Sequence, residues 1–88
     1  MMHLSVDISM YPLQENYIPA IDAFIAQLNE NQQVQVKTNS MSTQLFGEYD
    51  EVMALLQATM RHSMDTFGKL VFVAKFIPGD TRQISGYD

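Results

Sequence analysis

Polar and apolar residues alternate without a break from His3 to Tyr11. Leu4, Val6, Ile8 and Met10 fall on one side, and His3, Ser5, Asp7, Ser9 and Tyr11 on the other. A period of two predicts a strand over 3–11 with one buried face. Pro12 should end it, because proline has no amide to give the ladder. The period then changes. Tyr17, Ile18, Ile21, Phe24, Ile25 and Leu28 recur at helical spacing and predict a helix over 16–30, with Asn16 as its cap and Pro19 in its first turn. Asn29-Glu30-Asn31 supplies the stop. Alternation returns over Gln33–Lys37, with Val34 and Val36 inward. Asn39-Ser40 turns the chain, and Thr43–Glu48 forms the returning strand of a hairpin.

A second helix should begin at an Asp50 cap. Its apolar stripe runs Val52, Met53, Leu56, Met60, Met64 and Phe67, with Gly68 at its C-terminus. The methionines at 53, 60 and 64 read as pliable core filler. The last strand covers Leu70–Ile77, rich in β-branched and aromatic residues, and Pro78-Gly79-Asp80 closes it. Residues 1–80 thus form one domain, and 81–88, lacking an apolar pattern, read as a mobile tail. The order βαββαβ defines the fold class: α+β, ferredoxin-like, a four-stranded antiparallel sheet with two helices on one face.

That architecture leaves the other sheet face bare. In the usual strand order, 4-1-3-2, the first strand is central. Val71, Val73, Lys75 and Ile77 then face outward beside Asp7, Ser9 and Tyr11. With Leu45 turned toward the helices, Ser42, Gln44, Phe46 and Glu48 join them. Such a surface is too apolar to stay wholly wet and too polar to be ordinary core. It suits sheet-to-sheet dimerisation, with Asp7 and Lys75 as a cross-strand ion pair. It also suits a small molecule at its concave end near the Asn39–Thr43 turn. The two are compatible. Plainer roles exist for individual residues. Tyr11 could pack the strand end, Glu48 could favour a helix N-terminus, and Ser42 and Thr43 could satisfy turn backbone.

Composition narrows the chemistry. The 88 residues include five phenylalanines, four tyrosines and seven methionines, enough for a core, though a small one that association would help. There is no cysteine, which removes disulfides, thiolate metal sites and a Cys nucleophile. His3 and His62 lie on different elements without ligand-like spacing, so no metal site is expected. No Ser-His-Asp set, phosphate loop or HExxH motif is present, and catalysis is not expected. The N-terminus does not read as a signal peptide, nor any stretch as a bilayer span, so the expected location is cytoplasmic. A net charge of −5 argues against nucleic acid and favours a neutral or cationic ligand.

Three blocks add an identity to this pattern. Ile8-Ser9-Met10-Tyr11-Pro12-Leu13, Asn39-Ser40-Met41-Ser42-Thr43-Gln44 and Phe46-Gly47-Glu48-Tyr49-Asp50 resemble the YkoF-like thiamine-binding family. The resemblance spans about residues 4–80, essentially the whole domain. It implies a ferredoxin-like fold that pairs sheets and binds thiamine, or its hydroxymethylpyrimidine moiety, without converting it, in vitamin supply or salvage. The family's best-known form carries two units per chain and this sequence has one, so the resemblance implies a homodimer or higher homo-oligomer. Within those blocks it directs ligand binding to Ser9, Tyr11, Asn39, Ser42, Thr43, Gln44, Phe46 and Glu48, and Asp7, just before the first block on the open face, is expected to join them. Asp7 or Glu48 would accept from the pyrimidine amine, and Asn39, Ser42 and Thr43 would complete the edge. Tyr11 or Phe46 would stack on the ring. The alternative is a structural or regulatory oligomer without a small-molecule ligand.

Overall fold

The computed structural model describes residues 2–83. Their order is β1 (His3–Pro12), α1 (Ile18–Asn29), β2 (Gln35–Thr38), β3 (Thr43–Glu48), α2 (Tyr49–Phe67) and β4 (Leu70–Pro78), followed by a 3-10 turn at Thr81–Gln83. The strands form one antiparallel sheet in the order β2-β3-β1-β4. The fold is the βαββαβ ferredoxin-like arrangement, with both helices on one face. β1 is central, and β4 pairs with it from Leu4↔Pro78 to Pro12↔Leu70.

The core follows the alternation of β1. Leu4, Val6, Ile8 and Met10 are buried against Ala20, Phe24 and Leu28 of α1 and Val52 and Leu56 of α2. The Phe24 and Phe72 rings meet with centroids 5.3 Å apart, clamping α1 to the sheet. Leu45 is fully buried beside them. Gly47 lets β3 close onto α2: a Cβ there would stand 3.2 Å from Val52 Cγ2 and 3.4 Å from Val34 Cγ2.

Element ends differ from the expected ones in instructive ways. Tyr17, not Asn16, is the N-cap of α1, and no side chain caps it; Pro19 in the first turn lessens the need, having no amide to satisfy. At α2 the cap is Glu48 rather than Asp50. The chain stays extended to Glu48 and enters the helix directly, so Glu48 Oε2 accepts from the Asp50 amide (3.1 Å). Asp50 and Glu51 lie inside the first turn, where their charge suits the helix dipole. β2 starts at Gln35 rather than Gln33, because Asn31 holds the preceding turn. Its Oδ1 accepts from the Gln33 and Val34 amides, and its Nδ2 donates to Leu28 O.

The buried stripe of α2 is also rotated from the methionine line. Val52, Leu56, Thr59 and Ser63 are buried, whereas Met53 and Met60 are only partly covered and Met64 is 48% exposed. Small hydroxyl residues allow close packing of the helix, and Thr59 satisfies itself by donating to Leu55 O (2.8 Å). Of the three methionines expected in the core, Met53 and Met60 pack against its edge and Met64 does not, and all three border a groove of about 500 Å³ against Phe76 of β4.

The tail is the last departure. Residues 81–83 do not trail away. Thr81 donates its amide to Ser5 Oγ (3.0 Å), and Ser5 Oγ donates to Gly79 O (2.9 Å), tying the 3-10 turn to the central strand. The remainder of the expected mobile segment, 84–88, lies outside the described residues.

Candidate functional site

Strand register decides what the bare face presents. One row across the sheet runs Lys37, Gln44, Asp7, Lys75, and the next runs Gln35, Phe46, Ser5, Ile77. Neighbouring strands stand about 4.8 Å apart, so each row places its side chains within mutual reach of one ligand. Gln44 and Asp7 of the first row and Phe46, Ser5 and Ile77 of the second floor a cleft of about 470 Å³. Its walls are Lys37 on one side and the C-terminal turn, with Thr81 and Arg82, on the other.

Arg82 builds that wall. Its Nε and Nη2 donate to the two oxygens of Asp80 (2.8 and 2.6 Å), and Nη1 donates to Gln35 Oε1. The guanidinium lies 4.8 Å over the Phe46 ring. Phe46 is therefore only 5% exposed on a face that no helix covers. The hydrogen bond from Arg82 holds the Asp80 carboxyl at about 2, below its ordinary 3.8, and the Asp80 hydrogen bond raises Arg82 in turn. A carboxyl depressed in the fold stabilises it above the ordinary value, and that contribution fades as pH falls from about 3.8 toward 2. The Thr81 amide should accordingly keep its hydrogen-exchange protection at pH 5 and lose it near pH 2. Unchanged protection at pH 2 would show that Ser5 alone holds the turn.

Asp7 sits half-buried at the centre of the polar row. Its Oδ1 accepts from Ser42 Oγ (2.5 Å), a contact between the central strand and the β2–β3 turn. Among the described residues the ion pairs are His3–Asp80, Arg61–Asp65 and Asp80–Arg82, so the expected Asp7–Lys75 pair does not form. The two are register partners, but Asp7 is turned to Ser42 instead.

The structure separates the nine expected site residues into three places. Asp7, Gln44 and Phe46 line the large cleft, and Ser42 joins them through Asp7. Ser9, Tyr11, Asn39, Ser42 and Thr43 border a hollow of about 160 Å³ at the opposite end of β1, shared with α1. There Asn39 Oδ1 accepts from the Met41 and Ser42 amides, shaping the turn, and Ser9 Oγ reaches Met41 O (3.4 Å). Thr43 faces the helix side, 5% exposed, with its hydroxyl 3.2 Å from that of Thr38. Glu48 lies at the α2 N-terminus as its cap. The larger cavity is thus away from the Asn39–Thr43 turn, where the concave end was expected, because the segment after β4 folds back and walls the other end.

Lys37, Gln35 and Arg82 were not singled out from sequence; Ile77 was placed on the open face, and Ser5 on the polar side of β1, without a ligand role. The alternation of β2 did contain Gln35 and Lys37, since they flank the inward Val36. Arg82 had a weaker signal, the spacing Asp80-x-Arg82 after a Pro-Gly turn. Among the described residues no group of three or more His, Asp or Glu side chains is placed to hold a metal ion. No helix among them is long and apolar enough to cross a membrane.

Fold and face together define a ferredoxin-like α+β domain with a polar cleft on its uncovered sheet. The chain belongs to the YKOF-related family, whose profile matches residues 4–80. It is similar to a solved protein from Streptococcus pneumoniae, at 27% identity and a TM-score of 0.82 over 96% of this chain and 93% of that one. A hypothetical protein from Methanocaldococcus jannaschii shares the fold at 20% identity, with a TM-score of 0.75 over 88% and 80% of the two chains. So does a Thermotoga maritima protein named "putative thiamine biosynthesis/salvage protein", at 18% identity and a TM-score of 0.75 over 84% and 81%. Comparison with curated proteins gives no match.

Proposed function

We propose that this protein binds thiamine, or its hydroxymethylpyrimidine moiety, in the open-face cleft and does not transform it, serving supply or salvage of the vitamin. The observation that carries the reading is the pairing of Asp7 and Gln44 on the floor of a cavity of about 470 Å³, in a chain of the YKOF-related family. That volume lies within the range of small-molecule sites. An aminopyrimidine edge offers an exocyclic amine and ring nitrogens. A carboxylate beside a primary amide can satisfy both, with Asp7 accepting and Gln44 donating. The name of the Thermotoga maritima relative is consistent with this chemistry. Calorimetric titration with thiamine and with the free pyrimidine tests it. Heat of binding and a raised melting temperature are expected; silence with both would leave the alternative, an oligomer whose polar row fixes pairing register.

The protein works as a homodimer in this reading. Tyr11 is 53% exposed, Val73 51% and Ile77 47%, all on the uncovered face, and such a patch favours a symmetric contact with a second copy. Val73→Lys should shift light scattering from dimer toward monomer with little loss of helical circular dichroism, since Val73 points away from both helices. A wild-type monomer at high micromolar concentration would refute the dimer.

A further inference from the structure

An acidic chain has gathered its cations in one place. Three of its five Lys and Arg side chains, Lys37, Lys75 and Arg82, stand on or beside the uncovered face. The carboxylates of that region are largely engaged elsewhere. Glu48 caps α2, Asp80 is committed to Arg82, and Asp7 accepts from Ser42. Lys37 and Lys75 have no ion-pair partner among the described residues. Arg82 spends three N–H groups on Asp80 and Gln35, and a guanidinium has five, so two remain for a ligand. Net charge therefore misstates the local field, which is set by the nearest groups.

We propose that the cleft carries an anion subsite formed by Lys37 and Arg82, and that its ligand is a phosphate monoester of an amino-substituted heteroaromatic ring. The proposal rests on the thiamine reading and narrows it to the phosphorylated form. The floor and the walls of the cleft have different chemistry. Asp7 and Gln44 meet the ring edge, while Lys37 on one wall and the free guanidinium N–H groups on the other meet the phosphate. Arg82 already stands over Phe46, held by Asp80 and Gln35, so its fork is placed before the ligand arrives and loses little freedom on binding. Lys37 adds a charge that is in no ion pair among the described residues.

Calorimetry with thiamine monophosphate and with thiamine, each on the wild type, Lys37→Ala and Lys69→Ala, separates the possibilities. The monophosphate should bind wild type about tenfold tighter or better, as hydrogen bonds to a charged group predict. Lys37→Ala should remove most of that preference. Lys69→Ala, outside the cleft, should retain it. Thiamine and its monophosphate binding equally would overturn the anion subsite and leave the thiamine reading intact. A preference that survives in Lys37→Ala would overturn the assignment of the subsite to this cleft. No binding of either compound would overturn both readings.

Discussion

Asp7→Asn is expected to weaken thiamine binding by about 10- to 100-fold while leaving the melting temperature nearly unchanged. The change keeps the side chain's shape, and the amide oxygen can still accept from Ser42 Oγ, so the contact between β1 and the β2–β3 turn survives. What it removes is the charge that accepts from a ligand amine. A hydrogen bond to a charged group contributes about 1.5–3 kcal/mol, which sets the size of the effect. The half-buried carboxylate has no ion pair with Lys75 to lose, so the fold has little stake in its charge. Ser42→Ala should produce a smaller loss of affinity, because Ser42 acts on the ligand only through Asp7. Paired measurements of affinity and melting temperature decide the matter. Undiminished binding by Asp7→Asn would move the ligand out of this cleft; a large fall in melting temperature would give Asp7 a structural role instead.

The fold was legible because each element announced its period. The unbroken alternation of β1 fixed the central strand and its buried face. The helical spacing from Ile18 to Leu28 then placed α1 over that face. What stayed illegible depended on contacts between distant segments. Nothing local to Phe46 signals that Arg82, thirty-six residues on, will cover its ring. Likewise, the methionine line of α2 carries as strong an apolar signal as the Val52–Leu56 line. The small residues Thr59 and Ser63 won the interface by allowing closer approach, which apolar patterning does not encode. Net charge said nothing of this face for a related reason: it sums over the surface, whereas the polar row is made by register.

The largest loss of stability should come from Leu45→Ala, and its neighbour supplies the control. Both residues are almost wholly buried, Leu45 at 0% and Phe46 at 5% exposed, yet different things bury them. Leu45 faces the helices, paired across the sheet with Val6 and Val36, inside the packed layer. Truncating it leaves a cavity that the surrounding strands cannot close, at a cost of about 2–5 kcal/mol. That is a large share of the roughly 5–15 kcal/mol that holds a domain of this size together. Phe46 faces the other way and is roofed by the Arg82 side chain and the C-terminal turn. When its ring is removed, the turn can settle onto the sheet or yield the space to water, so no sealed void remains. Phe46→Ala should therefore destabilise less than Leu45→Ala, although it deletes the larger side chain. Its mark should appear instead as faster proteolysis after β4, since the cation–π contact that helps seat Arg82 is gone. Urea melts of the two variants provide the comparison. A midpoint for Phe46→Ala as low as that of Leu45→Ala would mean that the C-terminal turn is as firmly packed as the helix layer.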